Sequence, residues 1–230
     1  MKFVKLFNLS NSFFTLKSFN MLNIFQNLFG SLQANEIKFC NWKDHHAVKR
    51  NLLGDGDLDL FIPLIYKDRF EKISKEVGLI KVKSYQADHE YIEHYYGFDV
   101  NSSKFAHLHV YYKIVTGEHI SKNYILPLDK YILNNLDDSH ILPLINDKGR
   151  RSIFLIRYFL KIGTFYGVAQ YLREKDRYTR EWESFNSVDS YEDIPELKLS
   201  SDELNNLEKV YESSNLFNLM FVSINLKKNL

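Results

Sequence analysis

The amino-acid sequence predicts an α+β fold, in which a mixed β-sheet with flanking helices is followed by a C-terminal helical region. Strand-like and helix-like apolar patterns interleave over residues 13–132, without the regular spacing of parallel β-α-β units. Beyond Pro143 the apolar residues recur at helical spacing instead. We therefore place a boundary near residue 135, between a predicted sheet-containing domain over residues 13–134 and a helical region over residues 135–230.

The bulk composition is that of a folded protein without a strong electrostatic bias. Hydrophobic residues make up 45% of the 230 residues, including 18 Phe and 15 Tyr, so a large core can be buried. The 30 basic and 29 acidic residues nearly cancel, so neither nucleic acid nor an anionic membrane is an expected partner. A single cysteine, Cys40, fits a reducing compartment, and no apolar run approaches the roughly 20 residues of a spanning helix. We expect a cytoplasmic protein.

The first half of the chain alternates between helical and extended patterns. Apolar residues at intervals of three and four predict amphipathic helices, and Gly78 is a typical helix end. The Asp55-Gly56 turn precedes an apolar run that Pro63 ends. The predicted elements are helices over residues 13–33, 44–51 and 68–77 and strands over residues 37–42, 58–62 and 79–82.

The second half begins with a predicted β-hairpin and continues as helices. Residues 91–98 and 105–115 predict two strands joined by a hairpin loop, and Thr116-Gly117 ends the second strand. Apolar spacing predicts one helix over residues 152–172 and another from residue 201 towards residue 226. The charged segment between them contains Pro195 and predicts a loop or short helices over residues 173–199.

Two carboxylates share one exposed face of the strand over residues 58–62. Side chains two residues apart in a strand point to the same side, so Asp57 and Asp59 lie together while Leu58 and Leu60 point into the core. Neighbouring carboxylates repel each other unless a cation lies between them, and Mg²⁺ prefers oxygen ligands of this kind. The sequence therefore predicts a divalent-metal site on Asp57 and Asp59.

Glycines just before the carboxylates suit a phosphate-binding turn. Gly54 and Gly56 permit positive φ angles and let a polyphosphate approach the backbone closely. The alternative is a turn with exposed acids, as in calcium-binding loops. EF-hand spacing is missing, because no Glu occupies the twelfth loop position and a strand replaces the exiting helix.

The motif around the carboxylates is similar to that of an enzyme superfamily. Gly54-Asp-Gly-Asp57-Leu-Asp59-Leu60 resembles the Gly…Asp-x-Asp strand of the nucleotidyltransferase superfamily, which has a polymerase-β-like fold. Phe39-Cys-Asn-Trp-Lys43 and His107-Leu-His109 are similar to one bacterial branch, whose domains occur alone or fused to thymidylate-kinase-like modules. The similarity covers residues 33–161.

The resemblance implies a fold, a reaction and a set of site residues. The expected fold is a nucleotidyltransferase-like mixed sheet. The expected reaction uses two metal ions, Mg²⁺ or Mn²⁺, to transfer a nucleoside monophosphate from a nucleoside triphosphate to an acceptor hydroxyl. The implied site consists of the metal ligands and catalytic residues Asp57, Asp59 and His107 and the phosphate-bordering residues Lys43, Gly54 and Gly56.

The sequence departs from the family pattern in three respects. Lys43-Asp44 stands where the family has Gly-Ser, so a lysine replaces the usual phosphate donors and Asp44 would repel phosphate. His107 stands at the position of the family's third carboxylate. No glycine-rich kinase loop is present, so no kinase module lies within this chain.

His107 has three alternative interpretations. The predicted strand alternates, so His107 and His109 share a face and would meet the carboxylates if this strand lies beside the strand of Asp57. An imidazole can ligate Mn²⁺ or Zn²⁺ more readily than Mg²⁺. It can also act as a general base. Alternatively, both histidines only pair with Asp57, Asp59 or the backbone.

Three functions are compatible with these residues. The first is a nucleotidyltransferase acting on a hydroxyl of a small molecule, sugar or protein. The second is a catalytically degenerate nucleotide-binding or regulatory module of the same fold, which the missing Gly-Ser and third acid favour. The third is a toxin–antitoxin enzyme that modifies a protein hydroxyl. Arg157, amid apolar neighbours, is interpreted as a partner in a buried ion pair or a nucleotide contact.

Overall fold

A computed structural model describes residues 20–83, 89–117, 122, 124–137, 139–186, 188–213 and 215–229. Within these residues the protein has an α+β fold, with a mixed seven-stranded sheet and a C-terminal helical region. The predicted fold class is therefore confirmed at this level. No helix in the described part of the chain has both the length and the apolar character needed to cross a membrane.

The strands form one large sheet and one small sheet. The large sheet has the order β3-β4-β5-β2-β1-β9-β8, and β6 pairs with β7 in a separate two-stranded sheet. Among the described strands, β2–β5 and β1–β9 are the parallel pairs. The strands are β1 (Cys40–Asn41), β2 (Asp57–Phe61), β3 (Ile80–Val82), β4 (Ile92–Asp99), β5 (Lys104–Tyr111), β6 (Ile114–Thr116), β7 (Tyr124–Leu126), β8 (Leu136–Asp137) and β9 (Leu144–Ile145).

The helices flank the sheet and make up most of the chain after residue 146. Three short 3-10 turns, at His45–Ala47, Leu64–Tyr66 and Pro195–Leu197, supplement them. The helices are α1 (Asn23–Ala34), α2 (Val48–Leu52), α3 (Lys67–Glu76), α4 (Asp129–Asn134), α5 (Asp147–Ile162), α6 (Phe165–Glu183), α7 (Ser201–Ser213) and α8 (Leu216–Asn229).

The alternation of β2 and β5 separates a core face from a polar face. Leu58 and Leu60 are fully buried and pack with Leu108 and Val110 against α1 and α3. A second core surrounds α5, which packs against α6, α7 and α8. The two cores leave the opposite face of β2 and β5 to polar side chains, where the acids predicted as metal ligands lie.

The predicted strand over residues 105–115 is wrong in its second half. β5 ends at Tyr111, and residues 114–116 form β6, which leaves the large sheet to pair with β7. Residues on both sides of this break are buried and apolar. The hydrophobic pattern of the sequence therefore gives no sign of where β5 ends. Of the strand predicted over residues 37–42, only Cys40–Asn41 form a strand, which is β1.

Two predicted helices are each divided in two. The helix predicted over residues 152–172 breaks at Gly163 and Thr164, where extended Thr164 accepts a hydrogen bond from the backbone N–H of Gly167 at 3.0 Å and begins α6. Residues 173–183, predicted as a loop or short helices, are helical and continue α6 across a kink at Glu174. The segment after residue 200 forms α7 and α8 rather than one helix.

Other predicted elements agree with the structure within a few residues. The helices over 44–51 and 68–77 and the strands over 79–82 and 91–98 are confirmed. The helix predicted over 13–33 is observed as α1, although residues 13–19 lie outside the described residues. Strands β8 and β9 lie beyond the boundary at residue 135 yet belong to the large sheet. The division into two domains stays a prediction.

A buried carboxylate joins α3 to the sheet on the core face of β4. Glu93 lies 2.7 Å from Lys67 Nζ and 2.6 Å from Lys81 Nζ. Its carboxylate also accepts hydrogen bonds from the hydroxyls of Tyr95 and Tyr112 at 2.6 and 2.9 Å. Burial alone would raise the pKa of Glu93, but these four donors outweigh it and lower the pKa to about 2.

We expect Glu93→Gln to lower the free energy of unfolding at pH 7 by about 3 kcal/mol, since one pKa unit corresponds to about 1.4 kcal/mol. The pKa of Glu93 in the folded protein is below its ordinary value of 4.5, so the stabilisation by its carboxylate is complete above pH 4.5 and disappears as the pH falls towards 2. Urea unfolding at pH 7, 5 and 3 measures it. Glu76→Gln, on the exposed side of α3, is the control; equal effects of both changes would contradict the prediction.

Candidate functional site

Strands β2 and β5 bring two aspartates against two histidines on one face of the sheet. In their parallel register Asp57 is opposite His107 and Asp59 is opposite His109. His107 Nδ1 is 2.5 Å from Asp57 Oδ1, and His109 Nδ1 is 3.4 Å from Asp59 Oδ1. The hydrogen bond with His107 lowers the pKa of Asp57. The expected proximity of His107 to the carboxylates is observed, whereas its role stays a prediction.

The two carboxylates differ in their exposure to solvent. The side chain of Asp57 is 49% exposed and that of Asp59 is 6% exposed. The expectation that both acids lie on an exposed face is therefore wrong for Asp59. Lys43 covers this carboxylate, since its Nζ lies 3.1 Å from Asp59 Oδ1.

Lys43 forms an ion pair with the carboxylate of Asp59. Its ammonium group donates a hydrogen bond to Tyr111 Oη at 2.8 Å in addition to the contact with Asp59. Burial alone would lower the pKa of Lys43, but Asp59 and Tyr111 outweigh it and hold the pKa above its ordinary value. In the same way burial would raise the pKa of Asp59, and Lys43 with His109 lowers it. Despite this charge pairing, Asp59 Oδ1 accepts no well-directed hydrogen bond within the described residues.

The two glycines before the carboxylates have different structural roles. Gly54 has a φ of +81°, as predicted, and a Cβ there would lie 2.8 Å from the carbonyl oxygen of Phe105 in β5. Gly56 is not among the residues of positive φ, which corrects the prediction. It lies against Asn51, whose side-chain amide donates a hydrogen bond to the carbonyl of Asp57 at 2.5 Å. A side chain at Gly56 would collide with this amide.

An open cavity of about 490 Å³, the arginine cavity, begins at the carboxylates and extends to α6. Its charged lining comprises Arg50, Arg177 and Arg180 together with Asp44, Asp57 and Asp59. Gly56 and Asn51 also line it, and the phosphate-bordering role of Gly56 stays a prediction. The cavity is within the size range of small-molecule sites in proteins.

A second cavity of about 300 Å³, the lysine cavity, lies on the other side of the same carboxylates. Asp57 and Asp59 line it, with Lys43, Lys122 and Lys161 as its lysines. Burial, with Arg157 and Lys43 nearby, lowers the pKa of Lys161 to about 7. Burial and Lys43 similarly lower the pKa of Lys122 to about 8. Lys161 Nζ lies over the ring of Tyr178, at 5.7 Å from its centroid. An anion in this cavity would stabilise the charged forms of Lys122 and Lys161.

Asp44 holds the surrounding cations in place. It has a left-handed backbone conformation with a φ of +55°, which turns the chain between β1 and α2. Its carboxylate lies 2.8 Å from Arg177. Burial would raise its pKa, but Arg157, Lys43 and Arg177 lower it well below the ordinary range. The repulsion of phosphate predicted for Asp44 is therefore offset by the cations paired with it.

Comparisons with known proteins identify no relative. No protein-family model, curated protein or solved structure matches this chain. The resemblance to the nucleotidyltransferase superfamily therefore depends on the sequence motifs around Asp57 and His107.

Arg157 forms the predicted buried ion pair. Its guanidinium donates a hydrogen bond to Glu181 Oε1 at 3.0 Å, and both side chains are less than 10% exposed. The guanidinium also lies over the ring of Trp42, at 5.4 Å from its centroid. Burial lowers the pKa of Arg157, and Glu181 and Asp44 raise it above its ordinary value. Arg157 also lines the lysine cavity, and its nucleotide contact stays a prediction.

From the sequence, no role was assigned to the arginines of α6 or to His94. Arg177 and Arg180 lie in a segment predicted as a loop or short helices, although Arg173, Arg177 and Arg180 have helical spacing. His94 lies opposite His109 in the antiparallel register of β4 and β5. Burial, with His109, His107 and Lys122 nearby, lowers the pKa of His94 to about 4. The hairpin loop between the strands is the signal that could have indicated this pairing.

Proposed function

We propose that this protein is a metal-dependent nucleotidyltransferase of polymerase-β-like fold, which transfers a nucleoside monophosphate from a nucleoside triphosphate to an acceptor hydroxyl. The supporting observation is the pair Asp57 and Asp59, which lines two adjoining cavities rich in Arg and Lys. Carboxylates suit a divalent cation, and cations in a partly buried cavity suit a polyphosphate. The acceptor belongs to a small molecule, a sugar or a protein.

Mg²⁺ or Mn²⁺ would be held by Asp57 and Asp59, with His107 in the third position. The donor set fits, because Asp59 Oδ1 accepts no well-directed hydrogen bond and Asp57 is half exposed. When bound, the ion supplies Lewis-acid activation of the acceptor hydroxyl and neutralises charge on the phosphates. Lys43 has to move away from Asp59 Oδ1 or share it with the ion.

The side chains of the chain itself bind and orient the triphosphate in this proposal. Lys122 and Lys161 face the lysine cavity, and Arg177 lines both cavities. Charge-assisted hydrogen bonds strengthen where water is excluded, so buried lysines bind phosphate more tightly than surface lysines. Asp44 keeps Arg177 oriented through their 2.8 Å ion pair. The hydrogen bond to Asp57 orients the imidazole of His107.

The second candidate is a catalytically degenerate nucleotide-binding module. The ion pair between Lys43 and Asp59 favours it, because an ammonium group 3.1 Å from Asp59 Oδ1 competes with a metal ion there. The histidine at the third-acid position favours it as well. Such a module would bind a triphosphate through the same lysines and arginines without releasing pyrophosphate.

Calorimetry and a turnover assay separate the two candidates. The chain is titrated with ATP, CTP, GTP and TTP in the presence of Mg²⁺ or Mn²⁺, and pyrophosphate release is measured with sugars, small alcohols and protein acceptors. We expect binding of at least one triphosphate and metal-dependent pyrophosphate release. Tight binding without release across these acceptors would favour the degenerate module. Absence of binding to all four triphosphates would overturn both proposals.

We expect Lys161→Met to weaken triphosphate binding by about ten- to a hundredfold, as loss of a charged hydrogen bond costs about 1.5–3 kcal/mol. The same change should stabilise the free protein by about 1 kcal/mol, because burial and the nearby Arg157 and Lys43 disfavour the ammonium group that is removed. Calorimetry and urea unfolding measure the two effects. Lys148→Met, at the surface of the same helix, is the control. Weaker binding together with lower stability would indicate a structural role only.

A further inference from the structure

A cluster of three histidines lies on the hairpin of β4 and β5, beside the aspartates. The antiparallel register places His94 opposite His109, and the alternation of β5 places His107 on the same face. Ring centroids are 4.4 Å apart for His94 and His109 and 4.5 Å apart for His107 and His109. One ligand nitrogen from each residue lies within 4.8 Å of the others. We propose that His94, His107 and His109 together bind one divalent transition-metal ion, of which Zn²⁺ is the probe.

The nitrogens of His107 are divided between a carboxylate and the proposed ion. Nδ1 hydrogen-bonds with Asp57, whereas Nε2 is buried and has no hydrogen-bond partner within the described residues. Metal-binding histidines commonly donate their second N–H to a carboxylate, which fixes the tautomer and orients the ring. Asp59, 3.4 Å from His109 Nδ1, is placed to orient His109 in the same way.

The donor chemistry selects zinc-like ions over magnesium. Imidazole suits Zn²⁺ and its neighbours in the transition series, and three histidines leave a fourth position for water or another ligand. Zinc–nitrogen bonds are about 2.0–2.1 Å, so binding draws the three nitrogens together by rotation of half-buried rings. Tyr96, stacked on His107 with centroids 4.0 Å apart, restrains one ring. Asp57 and Asp59 favour a cation here, and Lys122 opposes it.

This site shares His107 with the proposed transferase site and borders the lysine cavity, but zinc binding does not require nucleotide transfer. Its ligands are ring nitrogens, and His94 is not a metal ligand in the proposed transferase site. Zinc binding without nucleotide turnover would support this inference and count against the transferase proposal alone. Nucleotide turnover in a protein that fails to bind zinc would support the transferase proposal and overturn the zinc site.

The test is equilibrium binding of Co²⁺ and Zn²⁺ to the metal-free full chain without nucleotide. We expect one equivalent of Co²⁺ to produce a visible d–d absorption band, which one equivalent of Zn²⁺ abolishes. His94→Asn should weaken Co²⁺ binding about tenfold or more. His140→Asn, which removes a histidine near a separate cavity, should leave binding unchanged. Absence of the band, or equal affinities of the wild type and His94→Asn, would overturn the proposal.

X-ray absorption at the zinc edge of the loaded wild-type chain tests the ligands without a substitution. Three imidazole donors at about 2.0–2.1 Å are expected. An ion bound mainly by oxygen would overturn the proposal, even if the His94→Asn variant fails to fold.

Discussion

Asp57→Asn is expected to reduce metal-dependent pyrophosphate release by about 10³-fold. A metal ion that neutralises transition-state charge contributes several kcal/mol, and each 1.4 kcal/mol corresponds to about tenfold in rate. The amide keeps the shape of the side chain, and its oxygen can still accept a hydrogen bond from His107. The side chain is half exposed, so we expect the free energy of unfolding to change little. Single-turnover assays and urea unfolding measure the two quantities.

Asp55→Asn is the matched control for this prediction. It removes one carboxylate charge from the same turn, two residues earlier, where the side chain pairs with Lys104 at 2.8 Å and faces solvent. We expect its pyrophosphate release to remain within about twofold of the wild type. Comparable losses in Asp55→Asn and Asp57→Asn would mean that the net charge of the turn matters, and the metal-ligand role of Asp57 would be rejected.

Glu181→Gln is expected to lower the free energy of unfolding by about 3–5 kcal/mol, the usual cost of breaking a buried ion pair. Glu181 is 2% exposed, and its carboxylate is the hydrogen-bonded partner of the buried guanidinium of Arg157. An amide can accept a hydrogen bond, but it leaves the guanidinium charge without its nearest counter-charge. Urea and thermal unfolding at pH 7 measure the loss.

Two further variants separate the charge effect from a packing effect. Glu183→Gln lies on an exposed side of the same helix and should change stability by less than about 0.5 kcal/mol. The double variant Arg157→Met with Glu181→Leu removes both charges and should recover much of the loss. If the double variant is less stable than Glu181→Gln, the pair stabilises the fold through its specific hydrogen bond.

The ion pair also fixes the position of a side chain that lines the proposed site. Arg157 joins α5 to α6, lies over Trp42 and lines the lysine cavity, so its position depends on Glu181. Asp44 is the other acid near Arg157, and it also orients Arg177. The stability of this region and the arrangement of the proposed phosphate-binding side chains therefore have a common physical basis.

Local patterns were sufficient to predict the elements with strong periodicity. The alternation of β2 places Asp57 and Asp59 on one side because strand geometry requires it, whatever surrounds the strand. The turn before them needs glycine at residue 54 because of its positive φ. The end of β5 at Tyr111 was missed because buried apolar residues continue into β6. The break at Thr164 was missed because apolar residue types follow it in the sequence.

By itself the sequence determined the α+β class, the shared face of Asp57 and Asp59 and the turn at Gly54, because each depends on neighbours within a few residues. Only the tertiary structure decided that Lys43 covers Asp59, that α6 supplies Arg177, and that β4 brings His94 to β5. These contacts join residues that are distant in sequence. They depend on strand register and helix packing, which are set by the free energy of the whole chain and not by any single segment.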